Sequence, residues 1–265
     1  MIFLETTNED QTLVFQELQA LATSANCNIE SKGTIFITED DFPYNRSVFI
    51  KRAFKALDAN DAFKCTTFRF IFDFVSKRES AASIKKASSY GGKVQLNNPQ
   101  KTFAVIKGND KPHLTELVYE NSKTFLKRHP KLRPGFHPGA CTSKFARLLV
   151  NLSGIPGGTV IDPFCGTGGI LIEAADMGFD AIGYDVDTEM IEKTKRNLRH
   201  FNLKAKAEQK NALTINKQCD AIITELPFGK TTRMTQTVPE LLEFFLKQAE
   251  KCTDRVVAAV PNTFD

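Results

Sequence analysis

The chain has 265 residues, 42% of them apolar and 25% charged, with a formal net charge of +4. That length accommodates two domains, and no apolar run approaches the roughly 18 residues that span a bilayer. The acidic, polar start over residues 1–11 is not a signal peptide, so the expected location is the cytoplasm.

From the amino terminus, strands are predicted over 2–6 and 33–38 and helices over 11–22 and 47–57, a pattern suited to a ferredoxin-like module over residues 1–59. Next, Phe68, Phe70, Phe72 and Phe74 alternate with Arg69, Ile71 and Asp73. That period of two predicts the core face of a strand in preference to an RNA-stacking platform. A helix over 80–89 and a strand over 102–107 complete a second module over 60–110. Residues 114–128 read as a helix or an extended linker leading to the prolines at 130, 134 and 138, so 111–132 is expected to join this half to a domain over 133–265. Between residues 101 and 147 the chain carries +7, leaving −3 elsewhere. Such a stripe suits phosphate contacts, although a solvated linker and helix face explains the charge alone equally well. Lys123, Lys127, Arg128, Lys131 and Arg133 lie at its centre, and Lys77, Arg78, Lys85 and Lys86 form a second cluster.

The carboxyl half opens with Thr159-Val-Ile-Asp-Pro-Phe-Cys-Gly-Thr-Gly-Gly-Ile-Leu171, an apolar run that ends in an acid and a glycine turn. It predicts a buried parallel strand, a turn whose glycines let the backbone approach a ligand, and a helix from 170 to 177. The spacing is neither G-x-G-x-x-G nor Gly-Lys-Ser/Thr, so the loop suits a ligand without a polyphosphate. A second strand ends at Asp185, twenty-three positions after Asp162, where an α/β nucleotide site places its ribose-binding carboxylate. Asp187 is read as the cap of a helix over 188–201 that carries Met190, Ile191, Thr194, Leu198 and Phe201 on one stripe. A third strand over 206–210 leads to Asn211-Ala212, which suits either an adenine edge or a surface turn. The fourth, over 220–224, runs into Glu225-Leu226-Pro227-Phe228-Gly229-Lys230, and a fifth covers 256–260. A carboxylate beside a rigid proline can accept the hydrogen bonds of an exocyclic amine while an aromatic ring stacks on the base; taken alone, the same residues equally suit a tight turn with Phe228 in the core.

Together these residues resemble the class I S-adenosylmethionine-dependent methyltransferases, in particular the amino-methylating group with an Asp/Asn-Pro-Pro-aromatic signature after the fourth strand. Arg133-Pro-Gly-Phe-His-Pro-Gly139, residues 146–152, and Gly92-Lys-Val-Gln-Leu-Asn-Asn-Pro99 followed by Phe103-Ala-Val-Ile106 are similar to the THUMP-containing tRNA guanosine-10 N2-methyltransferases. The resemblance implies a Rossmann-like α/β methyltransferase domain behind a ferredoxin-like/THUMP α+β RNA-binding module. It implies that Asp162, Phe164, Gly166, Thr167 and Gly168 hold the methionine part of S-adenosylmethionine, Asp185 its ribose, and Asn211 with Ala212 its adenine, Val186 being a further cofactor-binding residue. Glu225, Leu226, Pro227 and Phe228 would receive the guanine, and Lys77, Arg78, Lys127, Arg128, Lys131 and Arg133 would meet tRNA.

Two departures stand out. Glu225 occupies the usual aspartate position, where its extra methylene moves the acceptor by more than about 1 Å, a scale of misplacement that can cost on the order of a hundredfold in rate. Leu226 replaces the first proline, as in the Leu-Pro-Phe-Gly-Lys form of related THUMP enzymes, which leaves an acceptor-stem guanosine as an alternative target. After the fifth strand the sequence stops where the family continues into a helix and a two-strand hairpin, so a natural short form and a truncated one are both open. A missing hairpin would favour a partner, as a small activator subunit or a homo-oligomer, or else instability. A tRNA-binding protein that keeps the donor pocket without turnover, and a DNA amino-methyltransferase, are the rival readings. The six cysteines, at 27, 65, 141, 165, 219 and 252, contain no C-x-x-C pair, so neither zinc nor a disulfide scaffold is expected; Cys165 reads as a small filler. His113 and His129 read as solvated, His200 ends a helix, and His137 is expected to order the loop over the donor rather than act as a base.

Overall fold

The computed structural model describes residues 1–57, 65–71, 74, 81, 85, 93–107, 111–227 and 238–260. The chain divides into two compact units, one of Met1–Phe15, Asn26–Asn45 and Phe49–Ser122, the other of Gln16–Ala25, Arg46–Val48 and Lys123–Asp265. Among the described residues no helix is long and apolar enough to cross a membrane.

The first unit is organised by one sheet containing β1 (Ile2–Thr6), β2 (Glu30–Lys32), β3 (Ile35–Thr38), β4 (Ile50–Ala56), β5 (Thr67–Ile71), β6 (Lys93–Val94), β7 (Lys101–Lys107) and β8 (Pro112–Glu120). Their spatial order is β2-β3-β1-β4-β8-β7-β5-β6. β5 runs parallel to both its neighbours, and every other pairing is antiparallel. Phe3, Ile37, Phe54, Ala104 and Ile106 form one buried cluster, and Phe68 packs against Phe103 in another, with ring centroids 6.1 Å apart. Phe68 is therefore core, as its alternation predicts; Phe72, Asp73 and most of the helix expected over 80–89 lie outside the described residues.

Two expectations for this half are overturned. The helix expected over 47–57 is strand β4. Its register shifts between Ala53 and Phe54, which places two consecutive side chains inside and, with Ile50, imitates the spacing of a helical face. The linker expected over 111–132 begins instead as β8, hydrogen-bonded between β4 and β7. Thr115 on that strand is fully buried and donates to Ala104 O at 3.0 Å. One sheet thus runs through what composition divides at residue 59, because strand order is set by pairings distant in sequence.

The second unit holds a parallel sheet of β9 (Thr159–Asp162), β10 (Asp180–Asp185), β11 (Lys206–Gln209), β12 (Ala221–Glu225) and β13 (Val256–Ala259), in the order β11-β10-β9-β12-β13. Helices α2 (Ser143–Leu152), α3 (Gly169–Asp176), α4 (Thr188–His200) and α5 (Val238–Ala249) accompany it; α1 (Gln11–Ser24) crosses the division between units. Alternate residues of β9, β10 and β12 enter opposite cores: Val160, Ala181 and Ile223 pack with Leu149 and Leu171, whereas Ile161, Ile182 and Ile222 pack with Phe245. Burial on both faces explains the apolar runs of these three strands, whereas edge strand β11 buries only Ala207. Caps fix the helix starts. Thr142 Oγ1 accepts from Phe145 N at 3.3 Å, and Asp187 accepts from Glu189 N at 2.7 Å, as its position predicts.

This unit also reaches further back than the expected boundary at residue 133. Glu17, fully buried, accepts hydrogen bonds from Ser47 Oγ at 2.5 Å, Val48 N at 3.0 Å and Asn151 Nδ2 at 2.7 Å. Two short segments of the amino-terminal half are built into it by polar contacts that no hydrophobic periodicity signals.

Candidate functional site

The strand order reverses direction at β9, since β10 and β11 follow on one side and β12 and β13 on the other. At the carboxyl ends of the strands beside such a reversal, the loops diverge and leave a crevice. Here it is a cavity of about 410 Å³, lined among others by Asp162, Thr167, Asp185, Asn211, Glu225 and Pro227. That volume suits one small-molecule ligand.

The loop after β9 owes its path to two glycine positions. Gly168 has φ 83°, and a Cβ there would come within 2.8 Å of Thr194 Cγ2. Gly183 lies beneath the loop on β10, where a Cβ would come within 2.8 Å of Cys165 Cβ and collide with Leu171. The loop can therefore lie flat on the sheet only over a bare backbone. From α4, Thr194 Oγ1 donates to Gly166 O at 2.7 Å, and Asn197 Nδ2 donates to Thr167 O at 2.9 Å and Gly135 O at 3.2 Å. Asn197 Oδ1 accepts from Gly135 N at 2.7 Å. Asn197 is fully buried and ties the Pro134–Gly139 stretch to the loop, a role the sequence reading missed. The available signal was a pair of polar residues three positions apart on the buried stripe of an amphipathic helix. Replacing Asn197 by leucine leaves three backbone groups unpaired, so a loss of about 3 kcal/mol in unfolding free energy is expected by urea titration.

Three carboxylates converge on the cavity. Asp162 is 2% exposed and accepts from Thr224 Oγ1 at 2.7 Å and Phe164 N at 3.2 Å, joining β9 to β12. Burial raises its pKa to about 7 despite those hydrogen bonds. Asp185 accepts from Gly166 N and Asp187 N, each at 2.9 Å, and burial raises its pKa too. Glu225, half-buried at the end of β12, has its pKa raised by burial, and the nearby Cys141 thiol works against the rise. Cys141 itself is held well above the usual thiol range by burial and by the Glu225 carboxylate. Such a cavity favours a cationic ligand, which lowers the cost of ionising the buried carboxylates.

The pH dependence follows from the sign of the Asp162 shift. Its contribution to stability is full below the ordinary aspartate range and declines as pH rises toward about 7, because the folded state resists ionising a buried group that the unfolded chain ionises freely. A cation entering the cavity should expel a proton, so its dissociation constant is expected to fall as pH rises through about 7. Calorimetry in buffers of different ionisation enthalpy reads that proton, and Asp162→Asn should abolish its release.

The remaining candidates divide. Asn211 and Ala212 line the cavity, but Asn211 Oδ1 already accepts from Leu213 N at 2.9 Å, leaving its amide nitrogen and the backbone to meet a ligand. Phe164 and Val186 are also at the wall, Leu226 is buried with its N–H on Ala259 O at 2.9 Å, and Phe228 lies outside the described residues. Lys127 and Lys131 are exposed, whereas Lys77 and Arg78 lie outside the described residues. Arg128 and Arg133 are only 8% and 3% exposed, which corrects their assignment to an RNA surface. Arg128 pairs with both oxygens of buried Glu173 at 2.8 and 2.7 Å and with Asp176 at 2.7 Å; Arg133 Nε donates to Arg128 O at 2.8 Å. A basic stripe does not reveal which of its members have acids waiting in a neighbouring helix.

The family model described as "RMKL-like, methyltransferase domain" matches residues 130–263, and a model described as "DNA methylase" matches residues 7–196. The chain is 39% identical over 158 residues to the tRNA (guanine(10)-N2)-dimethyltransferase of Methanothermobacter thermautotrophicus, covering 58% of this chain and 46% of that one. It is 42% identical over 165 residues to the protein of the same description from Methanocaldococcus jannaschii, covering 57% and 47%. The U6 snRNA (guanine-N(2))-methyltransferase THUMPD2 of Homo sapiens is 27% identical over 162 residues, covering 58% and 31%. The chain spans about half the length of the two archaeal relatives and about a third of the human one.

Proposed function

The chain belongs to the RMKL-like methyltransferase-domain family, within the class I methyltransferases, and from that premise we propose that it methylates the exocyclic N2 of a guanosine in tRNA, with position 10 the first choice. The observation that carries the reading is the convergence on one cavity of an acidic, glycine-bounded ligand site and the Glu225-Leu226-Pro227 turn.

S-adenosylmethionine fits the residues present. It is a cation, and the cavity wall holds Asp162 and Asp185; the buried Thr167 hydroxyl beside them has no partner among the described residues and suits a ligand acceptor. Asp162 and Thr167 would meet its amino-acid part, Asp185 its ribose hydroxyls, and Asn211 and Ala212 its adenine. When bound, it supplies a methyl group from a positively charged sulfur. Glu225 accepts the hydrogens of the guanine amino group, turning the nitrogen lone pair out of conjugation and toward the donor, and its carboxylate then stands ready for the proton the methylated nitrogen sheds. Pro227 fixes the turn that presents this acceptor.

The amino-terminal unit is proposed as the tRNA-gripping, THUMP-like part, on the likeness of 92–99 and 103–106, with exposed Lys127 and Lys131 of the second unit adding phosphate contacts. The site of action would be the cytoplasm. A small activator subunit or a second copy belongs to the same proposal, supported by exposed Phe244 and Leu246 on α5. A second reading, methylation of an amino group in DNA, draws on the DNA-methylase match. Incubation with labelled donor and equal amounts of unmodified tRNA and duplex DNA separates them: label should enter the tRNA, and label in DNA alone would favour the second reading.

A further inference from the structure

His137 stands in the cavity wall with one ring nitrogen already engaged. It lines the cavity beside Gly139, Ala140 and Cys141. Gly139 N donates to its Nδ1 at 3.2 Å, and Ala140 N donates to His137 O at 3.0 Å, closing a turn with Pro138 at its second position. An Nδ1 that accepts carries no proton, so the ring hydrogen sits on Nε2 and makes that nitrogen a donor. Nε2 has no hydrogen-bond partner among the described residues.

The backbone that carries this imidazole is pinned just before it. Arg133 Nε donates to Arg128 O at 2.8 Å, Gly135 donates to and accepts from the buried Asn197 amide, and a Cβ at Gly135 would come within 2.7 Å of Lys193 O. Arg133 and Gly135 are buried, Phe136, Pro138 and Gly139 are exposed, and His137 lies between these extremes. At the far end of the segment, Cys141 abuts the start of α3, where a Cβ on Gly169 would come within 3.1 Å of Cys141 Cβ. The Cys141 end therefore closes against the donor loop, and the His137 end stands at the open edge of the cavity, where a macromolecular substrate enters.

We propose that His137 is a specificity-determining residue for the target base: its Nε2–H donates to O6 of guanine while Glu225 accepts from the amino group. This rests on the reading of Glu225 as the carboxylate that meets that amine. The edge of guanine presents the N2 and N1 hydrogens, which suit a carboxylate, and then O6, an acceptor that a carboxylate repels and a donor satisfies. Among the side chains of the wall, Asp162, Asp185 and Glu225 offer acceptors when ionised, and His137 offers a donor at the edge where the base arrives. A site built to hydrogen-bond one substrate oxygen rejects a base that lacks it, because the donor is then left unpaired.

The experiment crosses His137 variants of the full chain with two forms of one tRNA, carrying guanine or 2-aminopurine at the nucleotide that the unsubstituted protein methylates. 2-Aminopurine keeps the exocyclic amine and lacks O6; the N1 hydrogen it also lacks is lost alike for every protein and cancels in the comparison. His137→Ala should lower the preference for guanine in kcat/KM by about tenfold, slowing reaction on guanine and leaving 2-aminopurine within about twofold. His137→Gln, whose amide nitrogen reaches the place of Nε2, should keep most of the preference, and the shorter His137→Asn should not. Should His137→Ala fold poorly, the Gln and Asn variants give the same contrast. Equilibrium binding of S-adenosylmethionine should be unchanged in each. Equal losses on the two bases would overturn the proposal, and so would weakened donor binding with an unaltered base preference, which would put the imidazole on the donor. Failure of the unsubstituted protein to make N2-methylguanosine, or full activity of Glu225→Ala, would instead sink the underlying reading.

Discussion

Glu225→Ala should reduce kcat for methyl transfer to tRNA by about a hundred- to a thousandfold, the scale found when one preorganised group is removed from the reacting centre. Donor affinity should change little, because the hydrogen bonds that shape the donor side of the cavity come from Asp162, Asp185, Thr194 and Asn197. The split is diagnostic. An unchanged dissociation constant with a collapsed kcat places Glu225 on the acceptor side, whereas weakened donor binding with intact kcat would place it on the donor side. Single-turnover kinetics beside equilibrium binding of S-adenosylmethionine provides both numbers.

Glu173→Ala should destabilise the second unit by about 3–5 kcal/mol, since it leaves the Arg128 guanidinium buried without its bidentate partner. Burial alone would lower the pKa of Arg128; the bonds it donates to Glu173 and Asp176, with the charges of those carboxylates, raise it, so the guanidinium stays charged and in need of a partner. Arg147 reaches the same acids, at 3.0 Å from Asp176 and 3.4 Å from Glu173, so the substitution leaves two guanidinium groups to share Asp176. A urea midpoint lowered without a change in slope is the expected result. Arg128→Ala should lower stability and leave the salt dependence of RNA binding unchanged, whereas Lys127→Ala and Lys131→Ala should each reduce that dependence with little effect on folding.

The parallel sheet and its cavity were legible because the information is local. β9, β10 and β12 are largely apolar runs, each closed by an acid, and the order of the strands brings Asp162, Asp185, Asn211 and Glu225 to one cavity. The need for glycine at 183 on β10 comes from Cys165 and Leu171, which only the structure places against it. What could not be read depends on partners far apart in sequence. The bulge at Ala53 and Phe54 turned a strand into an apparent helix, and the place of β8 between β4 and β7 is decided by pairings that leave no trace in its own composition. The buried bonds of Glu17, Arg128 and Asn197 are of the same kind: each polar side chain looked like surface until the acceptor or donor that buries it was in place.

The most direct measurement is the identity of the nucleoside made. Unmodified tRNA incubated with the chain and S-adenosylmethionine, digested and resolved by mass spectrometry, should yield N2-methylguanosine or its dimethyl form, mapped to position 10 and absent with Glu225→Ala. A methyl group on a different base atom, or none despite measured binding of both donor and tRNA, would contradict the account.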